Sequence, residues 1–287
     1  ATNAVRISLG AVTFPTGTLA IGNYLADVGG SFVGNNGTVR MYSGTTGTIT
    51  SGGSSFSNLR FHGVGTFSFV DANATVLEDI TFVQGTTVLP TGTLTIGGSY
   101  ENNATVTPGS GTVLFNSTDT GETIAAGASP FYNLTFNSAS GGWTITEPAT
   151  TTNNASLTAV SNWTLSSGQA LSVGGVFTNS VTNASTTWTG STLSLESGAY
   201  TTNAKTTSGD TYATLRVKAA ADISMWNSSA TSYDVNSSGS LYSQDHAGVN
   251  GDLYIFGSYG RTSGSEYWAY STDFDGVALG GSPRQVD

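Results

Sequence analysis

Short runs in which apolar and polar residues alternate follow one another along the chain. Examples are TFSFV from Thr66, TVLF from Thr112 and LYIF from Leu253. A period of two places alternate side chains on opposite faces of a strand, so each run predicts a half-buried β-strand. Clusters of Gly, Asn and Ser separate the runs and are typical of tight turns. The pattern therefore predicts an all-β protein.

One segment carries a competing helix signal. Thr214–Ile223 reads TLRVKAAADI, with a run of alanines that favours a helix. Leu215 and Val217 nevertheless alternate with polar residues, as in the other runs. We therefore predict a strand here as well.

Several of these runs recur at one fixed offset. Pro15–Ile21 reads PTGTLAI, and Pro90–Ile96 reads PTGTLTI 75 positions later (90 − 15). Phe56–Phe61 (FSNLRF) and Phe131–Phe136 (FYNLTF) are separated by the same 75 positions (131 − 56). Separate segments that share an offset indicate an internal repeat.

Looser matches extend the repeat through the rest of the chain. At an offset of 77 (171 − 94), Leu94 aligns with Leu171. We predict copies near residues 12–86, 87–163 and 164–235, which makes 1–235 a region of solenoid repeats. Residues 236–287 are predicted to be a partial fourth copy, an aromatic-rich C-terminal segment.

Two all-β architectures accommodate a repeat of about 75 residues. In a parallel β-helix (β-solenoid) such a unit makes about three or four coils, whereas in the alternative each copy is a small β-sandwich domain. Turns rich in Gly, Asn, Ser and Thr favour the β-helix, as do the small or β-branched apolar positions. Asn side chains recur beside strand ends and could form a hydrogen-bonded ladder; they are Asn58, Asn133, Asn137 and Asn179. We therefore expect the β-helix and keep tandem sandwiches as the alternative.

Composition narrows the class further. Only 9% of the residues are charged, against about 25% in an ordinary soluble domain. The 12 Tyr, 13 Phe and 5 Trp argue for a packed core rather than for disorder. The chain has no Cys, so it forms no disulfide and no thiolate metal site.

The charge balance excludes one class of partner and favours a location. The net charge is −10 with eight Lys and Arg, so no basic surface for nucleic acid is expected. No apolar run approaches the ~18 residues of a membrane span. A pI near 4.3 favours an exposed, extracellular surface.

No motif predicts catalysis. The histidines are His62 and His246, far apart in the repeat, and Asp245 beside His246 does not by itself make a triad. The Gly-rich stretches neither precede a predicted helix nor lead into Gly-Lys-Ser/Thr, so they are not phosphate loops. We predict no catalytic residue and no enzyme activity.

Two aspartates are the candidates for a metal. Asp273 and Asp275 in TDFDG would share one face of a strand, and Asp252 lies nearby in the repeat frame. Carboxylate oxygens suit Ca²⁺. A solvated turn is the preferred interpretation, and no other cofactor is predicted.

Aromatic residues in the last quarter are the candidate binding or interface positions. Such side chains stack on sugar rings or anchor protein interfaces, although packing inside the protein is the favoured interpretation. The candidates are Trp226, Tyr254, Tyr259, Tyr267, Trp268 and Tyr270.

The repeat resembles a known type of surface-protein repeat. Residues 92–136, GTLTIGGSYENNATVTPGSGTVLFNSTDTGETIAAGASPFYNLTF, resemble the G-x-L-x-V-G-G and F-Y-N-L-x-F repeats of very large secreted, adhesin-like proteins of candidate-phyla bacteria. The resemblance covers residues 12–287 in patches and includes the closing segment from Gly251. It implies an extracellular, β-rich repeat region and transfers no catalytic residue.

Both ends of the sequence lack a capping pattern. The first residues alternate as VRISLGAVTF, and the last read GSPRQVD. A solenoid without caps exposes unpaired strand edges, which favours a piece of a longer repeat protein or stacking between subunits. We therefore expect a structural or adhesive module of an extracellular surface protein or filament. Its partners would be further copies or flanking repeats, with glycans as a further class. The alternative function is a carbohydrate-binding or polysaccharide-depolymerising β-helix.

Overall fold

The computed structural model describes the backbone over most of the chain and side chains in its first two thirds. The described backbone comprises residues 2–201, 210–224, 235–244, 249–250, 258–262, 267–269, 273–274, 277–278 and 284–286. Side chains are described for residues 2–196 except 183, and for Tyr212 and Ala213. Within these ranges every element is a β-strand apart from one 3₁₀ turn, Asn183–Ser185. The predicted all-β class is therefore confirmed. The chain divides into unit 1, Ala1–Glu147, and unit 2, Pro148–Asp287.

Unit 1 is a parallel β-solenoid whose coils pass through three faces; strands are numbered along the chain. The first strand, β1 (Thr2–Ile7), pairs along β3. The first face stacks, in order, the start of β3 (Thr18–Asp27), β5 (Thr38–Met41), β7 (Asn58–Phe61), β10 (Ile80–Phe82), β13 (Tyr100–Asn102), β16 (Glu122–Ala125) and the end of β17 (Asn133–Ile145). The second face stacks the end of β3, β6 (Thr46–Thr50), β8 (Thr66–Phe69), β11 (Thr86–Val88) and β14 (Thr105–Thr107).

The third face completes each coil. There β2 (Ala11–Thr13) pairs with β4 (Ser31–Val33). Further along, β9 (Ala74–Val76), β12 (Thr93–Ile96), β15 (Thr112–Phe115) and the start of β17 pair in that order. Every one of these pairings is parallel, and parallel pairing between successive coils is what defines a β-solenoid. The predicted parallel β-helix is confirmed, and tandem sandwiches of antiparallel sheets are excluded for this unit.

One coil of unit 1 takes about twenty residues. Thr38 pairs with Asn58, 20 positions on (58 − 38). The shortest step is 19, from Leu94 to Val113, and the longest is 24, from Tyr100 to Ile124. Successive coils are therefore nearly equal in length.

The interior of unit 1 is filled by stacked aromatic rings. Phe61 and Phe82, on neighbouring coils, have ring centroids 5.1 Å apart and planes 4° apart. Phe115 and Phe136 repeat this arrangement at 5.2 Å. These rings are fully or almost fully buried, because the inward position of each strand recurs at the same place one coil later. Such aromatic pairs stabilise beyond the apolar area that they bury.

Unit 2 has the same parallel coil-on-coil pairing with slightly longer coils. One series comprises β18 (Ala149–Thr151), β20 (Ala170–Val173), β23 (Thr192–Thr201), β24 (Asp210–Ser224), β25 (Val235–Gln244) and β27 (Ser258–Thr262). A second comprises β19 (Ala155–Leu165), which pairs with β21 (Phe177–Asn179) and β22 (Thr186–Thr187), and β26 (Val249–Asn250), which pairs with β24. Leu171 pairs with Leu193, 22 positions later (193 − 171).

The last described strands pair differently. The antiparallel pairs are β28 (Tyr267–Ala269) with β31 (Arg284–Val286), and β29 (Asp273–Phe274) with β30 (Val277–Ala278). The alanine-rich segment Thr214–Ile223 lies inside β24, so the predicted strand is confirmed.

The 75-residue sequence repeat and the coil do not coincide. The first copy of G-T-L-x-I contributes Thr18–Ile21 to the first face, but the second contributes Thr93–Ile96 to the third face. Leu59 and Leu134 are separated by the same 75 positions and again lie on the first and third faces. Seventy-five residues therefore make about three and two-thirds coils. The copy boundaries themselves stay predictions.

The repeated segment Gly92–Tyr100 (GTLTIGGSY) forms a strand followed by a corner. Leu94 and Ile96 are buried in the core, and Tyr100 begins the next strand, as the alternation predicts. Gly97 lies at the corner, where a Cβ would collide with the carbonyl oxygen of Leu77 on the preceding coil. Glycine is needed there because the two backbones approach too closely for a side chain.

Corner asparagines such as Asn58 and Asn73 bind the backbone of the next coil. Asn58 lies beside Thr38, and its Oδ1 accepts the N–H of Asp79 at 3.2 Å. Asn73 Oδ1 accepts the N–H of Thr93 at 2.7 Å in the same way. The predicted Asn–Asn ladder is therefore wrong at Asn58, because its neighbours across the coils are other residue types.

Candidate interaction surfaces

The predicted aromatic positions fall where the structure describes little. Tyr259 lies in β27, and Tyr267 and Trp268 lie in β28, each with its backbone alone described. Trp226, Tyr254 and Tyr270 lie outside the described residues. The assignment of these six residues to binding or interfaces stays a prediction.

The predicted calcium and histidine positions are likewise mostly beyond the described part. Asp273 lies in β29, while Asp275 and Asp252 lie outside the described residues, as do Asp245 and His246. His62 follows β7 and is half-buried, and its carbonyl oxygen accepts a hydrogen bond from Gln84 Nε2 at 3.1 Å. Among the described residues no group of three or more His, Cys, Asp or Glu side chains could hold a metal ion.

The outward side of the first face carries two basic residues and one acidic residue of unit 1 in an ordered row. We call this surface the charged face, and its middle row consists of Ala20, Arg40, Arg60, Thr81, Glu101 and Ala125. The backbone register places these residues side by side on consecutive strands. Neighbouring strands lie about 4.8 Å apart, so the row runs from basic to acidic within about four strands.

The basic end of the row holds two arginines, and no carboxylate occupies the row beside either of them. Arg40 and Arg60 pair directly across β5 and β7, where like charges are unfavourable. The guanidinium of Arg40 lies over the ring of Tyr42, 5.8 Å from its centroid. Its Nε is buried and has no hydrogen-bond partner among the described residues. Two neighbouring cations without an acid between them make this end of the row suited to a partner that carries carboxylates.

The acidic end of the charged face holds two carboxylates, Glu101 in the middle row and Asp79 beside it, that accept hydrogen bonds from short polar groups. Glu101 is exposed, and its Oε1 accepts a hydrogen bond from Asn103 Nδ2 at 2.7 Å. Asp79 is also exposed, and its Oδ1 accepts the N–H of Ser99 at 2.8 Å. These carboxylates have no basic residue beside them among the described partners.

The ionisation of Glu122, beside the acidic end of this face, is perturbed. Its Oε2 accepts a hydrogen bond from Ser99 Oγ at 2.6 Å. Partial burial raises the pKa of Glu122, and the negative charges of Asp79, Asp119 and Glu78 raise it further, whereas the Ser99 hydrogen bond lowers it. Three neighbouring carboxylates disfavour the ionised form of Glu122, so negative charge is in excess at this end of the face.

The second face of unit 1 differs because its strands β6, β8, β11 and β14 carry no charged residue. Its outward row runs Thr46, Thr66, Thr86 and Thr105, in register on four consecutive coils. Threonine fits a pleated, half-exposed surface well, which accounts for the regular row. This surface offers hydroxyl and methyl groups and has no charge to orient a partner.

The outer edge of the first coil is not covered by any strand among the described residues. The carbonyl of Ile7 in β1 accepts the N–H of Val28, and the N–H of Phe14, next to β2, is donated to Val33. Consecutive residues of a strand direct their backbone groups to opposite sides, so those of Arg6 and Thr13 point away from the second coil. Leu9 is 85% exposed beside this edge, and Val12 in β2 is 40% exposed although it occupies an inward position. The described residues supply no strand that covers this edge.

The charged face was not recognised from the sequence. Its signal was present, because Arg40 and Arg60 are 20 positions apart and Thr81 and Glu101 repeat that step (60 − 40, 101 − 81). The visible 75-residue repeat concealed it, since the coil and not the repeat determines which residues are neighbours.

Comparisons with protein-family models, curated proteins and solved structures gave no match to this chain. Among the residues that the structure describes, no helix has the length and hydropathy needed to cross a membrane.

Proposed function

We propose that this chain is a structural or adhesive module of an extracellular surface protein or filament, and that it acts through coil stacking and contacts between subunits. The observation that carries the proposal is the open edge of the first coil, formed by β1 and β2. A parallel strand with unpaired N–H and C=O groups is a template for another strand. The occupant would be a further parallel coil, either of a second copy or of a flanking repeat.

The interior supports a mechanical role. Each described coil of unit 1 binds its neighbours through parallel backbone pairing, and stacked rings such as Phe61 and Phe82 add contacts inside the core. Corner side chains such as Asn73 add a further hydrogen bond between coils. In a solenoid the contacts are between nearest neighbours, so its length can increase without changing the fold.

The proposed location rests on composition and on sequence resemblance. The acidic pI near 4.3 and low charge content suit an exposed surface. The G-x-L-x-V-G-G and F-Y-N-L-x-F pattern is similar to repeats of secreted, adhesin-like bacterial proteins. We therefore propose an extracellular setting.

Electron microscopy of the purified chain tests the proposal. We expect rods or filaments that lengthen with protein concentration. The double variant Arg6→Pro/Thr13→Pro should shorten them, because proline removes two N–H groups that point outward from the open edge and leaves the bonds to the second coil in place. The matched control Arg6→Ala/Thr13→Ala keeps both N–H groups and should assemble like the natural sequence.

Particles that stay single and globular at high concentration would contradict the proposal. Equal assembly by the proline and alanine variants would show that the open edge is not the contact. Circular dichroism of each variant establishes that the fold is retained.

A further inference from the structure

We propose that the charged face is a self-complementary interface through which two copies of this chain pair side by side with their solenoid axes antiparallel. The inference deepens the proposed function by naming one lateral contact, and in that sense rests on it. Its basis is the order of charges on this face: Arg40 and Arg60 at one end, Asp79 and Glu101 at the other.

A two-fold axis parallel to the strands and midway between β7 and β10 brings the two ends together. Such an axis places β5 of one copy opposite β13 of the other, and β7 opposite β10. Arg40 then lies opposite Glu101, because both occupy the middle row of the face. A two-fold interface repeats each contact, so two Arg40–Glu101 pairs form.

The second row of the face is compatible with the same axis. Asn58 precedes Leu59, Asp79 precedes Ile80, and Leu59 pairs with Ile80, so Asn58 and Asp79 occupy equivalent positions. The axis therefore places the amide of Asn58 opposite the carboxylate of Asp79 in the partner copy. A side-chain amide donates hydrogen bonds to a carboxylate.

Other arrangements of the same two faces bring like charges together. An axis through β10 places Asp79 against Asp79 of the other copy, and an axis through β7 places Arg60 against Arg60. If the two solenoid axes were parallel, each arginine would lie opposite the same arginine of the other chain. Like charges facing one another are unfavourable, so the charge order selects the antiparallel arrangement and its register.

The fixed position of the Arg40 side chain supports the interface independently of the charge order. Arg40 is half-buried, and its guanidinium is held over the ring of Tyr42, 5.8 Å from the centroid, so its place on the face is defined. Glu101 accepts a hydrogen bond from Asn103 at one oxygen and is exposed. Pairing would bring the guanidinium of Arg40 to the exposed carboxylate of Glu101 and so supply a cation to that carboxylate. Arginine is suited to this contact because its fork of donors matches a carboxylate.

The size of the face sets the expected strength. Six strands of about four residues cover roughly 400 Å² on each copy, given spacings of about 4.8 Å between strands and 3.3 Å along them. A stable dimer buries about 800 Å² per partner, so this contact alone is weak. Its attraction is electrostatic, and salt should weaken it.

Sedimentation equilibrium of the full chain at low salt tests the interface by charge reversal. The natural sequence should form a weak dimer. Arg40→Glu and Glu101→Arg should each weaken it by about tenfold or more, since each places like charges in contact. The double variant Arg40→Glu/Glu101→Arg should restore the dimer, because each copy then carries the reversed pair.

The matched control is Asp119→Arg, which makes the same charge change as Glu101→Arg at an exposed residue between β15 and β16, outside the strands of the charged face. It should leave the dimer unchanged. The milder variants Arg40→Gln and Glu101→Gln provide the same test if a charge reversal prevents folding, which circular dichroism would show. They should weaken the dimer less than the reversals do.

Three outcomes would overturn the inference. The natural chain could stay monomeric at every concentration, the single variants could dimerise as strongly as the natural sequence, or the double variant could dimerise as weakly as the single variants. If the chain still forms rods in the electron microscope while these variants have no effect, the charged face is not the interface, but the proposed function stands. A dimer that responds to charge reversal without forming rods would support the interface and contradict filament assembly.

Discussion

At the residue scale, polar side chains at the corners continue the hydrogen bonding of the strands. Asn73, Asp79 and Asn154 each accept the N–H of a residue 20 to 22 positions later. The backbone turns at these corners, so regular strand pairing is interrupted and a side-chain oxygen satisfies the N–H instead. This arrangement follows from the rule that buried or half-buried backbone donors need a partner.

Removal of one corner side chain should therefore weaken the solenoid. Asn73→Ala leaves the N–H of Thr93 without its acceptor, and we expect a loss of about 1 kcal/mol in the free energy of unfolding. Urea denaturation measures it. The control is Asn116→Ala, also an exposed asparagine, for whose side chain the structure describes no hydrogen bond. Equal losses in the two variants would contradict the assigned role.

The perturbed carboxyl predicts a specific dependence on pH. Because the pKa of Glu122 is higher in the folded chain than in the unfolded chain, its contribution to stability is greatest below the unfolded pKa and is lost as pH rises through the folded pKa. Glu122→Gln removes the charge, so its melting temperature should exceed that of the natural sequence at pH 7 and match it near pH 4. A difference that stays constant between these pH values would contradict the assignment.

The inward or outward placement of a residue was predictable where alternation determines it. The hydrogen-bond partner of a side chain on the next coil was not predictable. Leu94 and Ile96 could be placed in the core and Tyr100 at the start of a strand, since a period of two is visible locally. The partner of Asn58 could not, because it lies one coil away and depends on a coil length that the sequence does not display. Sequence pattern alone therefore led to the expectation of an Asn ladder.

At the element scale, the stacked rings are the main contact between coils inside unit 1. Phe82 lies between Phe61 at 5.1 Å and Tyr100 at 5.4 Å. Phe82→Ala should cost about 3–5 kcal/mol, because it leaves a cavity that neighbouring coils cannot close. Phe82→Leu fills part of that space and should cost less, as judged by the urea midpoint. Two variants of equal stability would show that the stack contributes little.

The close approach of successive coils makes some corners intolerant of any side chain. A Cβ at Gly65 would collide with the carbonyl oxygen of Thr45 on the preceding coil, whereas one at Gly44 would meet nothing within 4 Å. Gly65→Ala should lower the free energy of unfolding by about 1–3 kcal/mol. Gly44→Ala should be neutral or slightly stabilising. Similar stability of the two variants would contradict the coil spacing.

The repeat was visible in the sequence, but its relation to the coil was not. Near-identical segments such as Thr18–Ile21 and Thr93–Ile96 occupy different faces. This is physically permitted because all three faces require the same alternation of inward apolar and outward polar residues. A repeat can therefore advance by a fraction of a coil without placing a polar residue in the core.

At the scale of the whole molecule, the chain has few charges, and four of those in unit 1 are grouped on one surface. Within unit 1, the basic residues Arg40 and Arg60 and the acidic residues Asp79 and Glu101 lie on one face. Strands β6, β8, β11 and β14 of the second face carry no charge, and no described strand covers the outer edge of the first coil. These surfaces suit contacts with further copies or repeats, and we propose that such contacts are the function.

Sedimentation velocity of the natural chain over a dilution series at low salt tests this central claim most directly. We expect the sedimentation coefficient to rise with concentration and to fall again when salt is added, as open edges and charged faces associate. A single species of 29.3 kDa at every concentration and salt level would contradict the account.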